Sequence, residues 1–109
     1  MAQCELKFMY DWGSGVCVWS ANTAAKKQFG TYPIETAKLP ISQELVNWLN
    51  KLIAQHDTAL NWDDPGGALL WDKMQQAIFE EESKSAYKQL CIELGSDYKV
   101  SFYPSLFWE

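Results

Sequence analysis

The sequence predicts an α+β fold: a small sheet of two or three strands covered by about three helices. Three observations carry this. Apolar residues alternate near both ends of the chain, at Leu6–Trp12 and Tyr98–Phe102, as in half-buried strands. Between them, apolar residues recur every three or four positions over Leu45–His56 and Met74–Leu94, the spacing of helices packed on one side. The length, 109 residues, with 48% hydrophobic and 21% charged residues, is that of one globular domain.

In the first strand Leu6, Phe8, Tyr10 and Trp12 share one face and Lys7, Met9 and Asp11 the other. Gly13-Ser14-Gly15 supplies permissive backbone for a turn. Val16–Trp19 then either returns as the second strand of a hairpin or enters the next helix as a loop. Asn22 or Ser20 can cap a short helix that ends at Phe29 and is closed by Gly30. Its expected inward residues are Ala21, Ala25 and Phe29, with Lys26, Lys27 and Gln28 toward water. Two prolines and little periodicity make 31–40 a loop with extended pieces.

Ser42 is the N-cap of the second helix, with Ile41 and Val46 placed for a hydrophobic staple. Its buried row is Leu45, Trp48, Leu49, Leu52, Ile53 and His56. Asp72 caps the third helix and Gln75 is spaced for a capping-box exchange. The run to Leu94 is about 33 Å if unbroken, with Met74, Ala77, Ile78, Ala86, Leu90, Cys91 and Leu94 as its expected buried positions. Its polar middle, Glu80–Ser85, suits either a solvated stretch helped by Glu80–Lys84 at i,i+4 or a break, and continuity is the expectation. Gly95 ends the helix. Tyr98, Val100 and Phe102 form the C-terminal strand, closed by Pro104 and expected to share a sheet with the N-terminal one. Leu106, Phe107 and Trp108 make the tail apolar, so it docks on the body or joins copies into a homo-oligomer.

Charge narrows the function classes. The net charge is −5, but residues 1–56 carry +1 and residues 57–109 carry −6. Asp57 to Glu82 holds seven acids against Lys73 alone, and the chain has no arginine. Phosphate and nucleic-acid recognition rely on guanidinium forks and basic patches, so neither is expected. No apolar run is long enough for a transmembrane helix, and the N-terminus lacks the pattern of a secretory signal. Cys4, Cys17 and Cys91 have no paired spacing, which fits reduced thiols in the cytoplasm and argues against a metal site. No cofactor is expected.

The most distinctive stretch is His56–Trp71, HDTALNWDDPGGALLW, which joins the two long helices. His56 beside Asp57 invites a general-base reading. It also continues the apolar face of Leu49, Leu52 and Ile53, in a last turn where an imidazolium suits the helix dipole. Asp63 and Asp64 resemble a cation site, yet no EF-hand spacing is present. Asp64-Pro65-Gly66-Gly67 is a strong turn signal. Trp62, Trp71 and Trp108 either anchor an interface or clamp their own segments.

YDWGSGVCVW (Tyr10–Trp19), Leu39-Pro40 and HDTALNWDDPGG (His56–Gly67) together resemble a family of small bacterial proteins, over roughly the first two-thirds of the chain. Several such small acidic proteins are encoded as immunity proteins beside polymorphic or contact-dependent growth inhibition toxins. The resemblance implies a non-enzymatic inhibitor of a cognate toxin protein, itself expected to be basic. Joined to the charge pattern, it puts Asp57, Trp62, Asp63, Asp64, Glu80 and Glu81 in or near the contact. The alternatives are a small enzyme or ligand-binding protein built on His56 and nearby carboxylates, and an oligomerising structural subunit.

Overall fold

The computed structural model describes residues 4–103 apart from Trp12, Thr31, Pro65, Gly66, Ala68 and Leu69. The elements are β1 (Cys4–Met9), β2 (Val18–Ser20), α1 (Thr23–Phe29), β3 (Pro33–Ile34), a 3-10 turn (Thr36–Lys38), α2 (Gln43–Asp57), α3 (Lys73–Leu94) and β4 (Tyr98–Tyr103). Three helices cover the sheet, as expected, but its described strands number four, in the order β3-β2-β1-β4. The extra strand is the two-residue β3. Pro33 lacks an N–H, and an edge position next to β2 tolerates that loss, so a proline-bearing loop becomes a short edge strand.

The two alternating segments pair with each other in parallel over six residues, from Cys4 opposite Tyr98 to Met9 opposite Tyr103. The sheet is thus mixed, since β1 also pairs antiparallel with β2. The hairpin forms later than the apolar run begins, at Val18–Ser20 and not Val16–Trp19. Its connection turns on Gly13 and Gly15, both at positive φ (81° and 75°), where a side chain would be strained.

Capping follows the sequence signals. The Asn22, Ser42 and Asp72 side chains accept from the N–H of Ala25, Leu45 and Gln75, satisfying donors that the first helical turn leaves free. Gly30 closes α1 in the left-handed conformation, and Gly95 closes α3 at φ 80°. α3 is continuous through its polar middle, and Lys84 lies 3.7 Å from Glu80 at i,i+4.

The core joins Cys4, Leu6 and Phe8 of β1, Val18, Ile34, Val100, the Leu45–Leu49–Leu52–Ile53 row of α2 and the inner face of α3. Trp48 is half-buried against it. Ala21 precedes α1 and is exposed, so buried Ala25 with half-buried Ala24 and Phe29 make the inward side of that helix. The larger correction concerns α3. Met74, Ala77 and Ile78 are exposed and Cys91 only half-buried, while Phe79, Ser83, Ala86, Leu90 and Leu94 face inward. The phase is set by Phe79, whose ring packs on Tyr10, Trp71 and His56. Ser83 can then lie inside because the Tyr10 hydroxyl meets its Oγ at 2.8 Å. All three cysteines are free thiols, Cys4 and Cys17 buried. The C-terminal tail, the Pro65-Gly66 turn and the position of Trp12 lie outside the described residues.

Candidate functional site

The segment after α2 is built on the end of that helix. Asp57 is its last residue, and its carboxylate accepts from the Gly13 N–H at 3.1 Å, tying the helix end to the β1–β2 turn. Trp62 reaches back and donates its Nε1–H to the Asp57 carbonyl at 2.9 Å. The far edge of its ring, Cη2, lies 3.5 Å from where a Cβ on Gly13 would sit. Asn61 accepts from the Asp63 N–H through its side chain (3.1 Å) and from the Asp64 N–H through its carbonyl (3.1 Å). Gly67 donates to the Asp64 carbonyl at 2.9 Å, and the Asp64 carboxylate folds over Gly67, so that a Cβ there would displace it. Leu70 donates to the Ala59 carbonyl at 2.8 Å and closes the loop.

These bonds fix a surface feature. Trp62 remains 56% exposed although its N–H is satisfied, and Asp63 and Asp64 beside it are exposed. Trp71, in contrast, is half-buried against Phe79 at 5.1 Å. One loop tryptophan is therefore a clamp and the other presents its ring. Glu80 and Glu81 follow Phe79, whose ring lies 5.9 Å from His56 in the last turn of α2, so α3 brings them to the same end of the molecule as Asp57. They converge on Lys84, at 3.7 and 3.5 Å, with Glu80 the less exposed of the two. The six predicted residues thus fall into two groups, a loop cluster and a helical pair.

His56 is 1% exposed and stacks on Tyr10 at 4.8 Å. Burial pushes its pKa down to about 4, and the nearby Asp57 charge offsets only part of that. The imidazole is consequently neutral at physiological pH, which corrects the expectation of an imidazolium at the helix end. Among the described residues, clefts of about 350 and 270 Å³ are lined by Lys7, Asn22, Lys26 and Tyr32 and by Ser42, Trp48, Gln89 and Glu93, and His56 lines neither of these. An enzyme built on His56 loses its accessible base.

Sequence reasoning overlooked Met74 and Ile78 as surface residues, both at least half exposed next to the acidic segment. The signal was available in the row Phe79, Ser83, Ala86, Leu90, Leu94, which keeps helical spacing if one serine is allowed inside. Among the described residues, no helix is long and apolar enough to cross a membrane. None of the curated proteins compared with the chain matches it. Residues 4–105, which include the C-terminal strand, match the model of the family described as Serratia CdiI immunity protein-like, and the chain belongs to that immunity protein-like family.

Proposed function

We propose that the chain neutralises a cognate toxin in the cytoplasm by binding a basic domain of it through Asp57, Trp62, Asp63, Asp64, Glu80 and Glu81. The observation that carries this reading is Trp62, a large aromatic held exposed by its own hydrogen bond and flanked by exposed carboxylates. Pre-ordered aromatic anchors lose little freedom on binding and supply much of the affinity of an interface, while the acidic rim attracts a basic partner and excludes wrong ones. Family membership supports a toxin as the partner. The reading needs no cofactor, nucleic acid, membrane or catalytic residue in this chain.

Titration calorimetry against the cognate toxin domain tests it. Trp62→Ala should weaken binding by about 30-fold or more if Trp62 is a hot spot. Asp63→Lys with Asp64→Lys should weaken it by about tenfold or more, with the circular dichroism spectrum unchanged. Wild-type affinity in both variants would remove this surface from the contact.

A further inference from the structure

α3 has a second face. Ile78, Glu81, Ser85, Lys88 and Ile92 recur at threes and fours on the side away from the core, and all five are exposed, Ile78 by 50% and Ile92 by 72%. At about 100° per residue they lie within about 60° of Ser85, so they form one continuous row. It runs apolar, charged, small, charged, apolar, and the two charges have opposite sign.

We propose that this row docks a second copy of the same chain, the two α3 helices packing antiparallel about a two-fold axis at Ser85. Such an axis makes the patch meet itself. Ile78 and Ile92 are equally far from Ser85 in sequence, so each Ile78 falls against Ile92 of the second copy. Glu81 and Lys88 are nearly so, and each Glu81 falls beside the other copy's Lys88. Ser85, small and central, lets the helices approach. Among the described residues Lys88 has no ion-pair partner in its own chain, whereas Lys84 takes both Glu80 and Glu81. Within one helix Glu81 and Lys88 are about 10 Å apart along the axis, out of reach of a direct pair. Glu81 is thus already 3.5 Å from Lys84 in its own chain, and it is the Lys88 charge that gains a carboxylate neighbour only between copies. Two isoleucines per copy over two heptads bury less than the roughly 1,000 Å² of a stable interface, so the dimer is weak and forms at high protein concentration.

Glu81 also belongs to the proposed toxin contact, so the test uses the full chain alone. Sedimentation equilibrium from micromolar to millimolar concentration should show the mass rising from 12.5 kDa toward twice that value. Ile92→Glu should abolish the rise. Glu81→Lys and Lys88→Glu should each shift it to several-fold higher concentration, and the double exchange should restore it. Ser85→Cys should give a covalent dimer on mild oxidation. A chain that is monomeric at every concentration overturns the proposal, as does a dimer indifferent to these variants or lost only on deleting Ser105–Glu109. If Ile92→Glu weakens toxin binding while the free chain stays monomeric, the row belongs to the toxin and the proposal fails.

Discussion

His56 shows how one side chain takes its character from its neighbours. Tyr10 and Phe79 seal it, and its pKa falls from 6.5 to about 4 because the charged form loses its water. Between these values the unfolded chain binds more protons at this site than the folded one. Stability is therefore full above the unfolded value and falls as the pH drops through the window, by roughly 3 kcal/mol in all. Urea unfolding at pH about 7 and about 4 should show that loss in the wild type and a much smaller one in His56→Phe. Parallel losses in the two proteins would mean that other groups carry the acid sensitivity. The two loop tryptophans make the same point. Trp71 finds Phe79 and turns inward, whereas Trp62 spends its N–H on the Asp57 carbonyl, rests the far edge of its ring at the Gly13 turn and stays more than half exposed.

At the scale of elements, α3 depends on its rotation about its own axis. The Met74–Ala77–Ile78 row and the Phe79–Ser83–Ala86 row differ by nearly half a turn, about 150° at about 100° per residue, and apolar content alone favours the first. What decides is that the second can be completed: Ser83 has the Tyr10 hydroxyl, and Phe79 has three aromatic neighbours. Phe79→Ala should cost about 3–5 kcal/mol in unfolding free energy, the range for a core phenylalanine. Ile78→Lys should stay within about 0.5 kcal/mol of wild type, as surface substitutions do. Equal costs would put Ile78 back in the core. β3 teaches a related lesson, since Pro33 and Ile34 became a strand only because β2 had an edge to offer them.

For the whole molecule, charge and topology divide the work. The acidic excess lies in 57–109, and the Phe79–His56 contact sets the start of the Glu80–Glu81 pair near the end of α2 that carries Asp57. A one-sided field should steer a basic partner, so association with the toxin domain should slow steeply with salt. Raising ionic strength from about 0.05 to about 0.3 M should lower the association rate constant by about tenfold, with a smaller change in dissociation. A salt-independent on-rate in stopped flow would show that the acidic surface plays no part in encounter.

Much of this was legible in the linear chain. The period-two segments became the paired β1 and β4, Asn22, Ser42 and Asp72 became caps, and the motifs from Tyr10 to Gly67 pointed to the immunity family. Such signals are local, because alternation, helical spacing and capping involve residues a few positions apart. The number of strands, the phase of α3, the neutral state of His56 and the separate fates of Trp62 and Trp71 were decided only by tertiary structure. Each rests on a contact between residues far apart in sequence: Val18 with Ile34, Tyr10 with Ser83, His56 with Tyr10, and Trp62 with the Gly13 turn. Periodicity says which residues of an element can be buried together; only the packed partner determines which of them are.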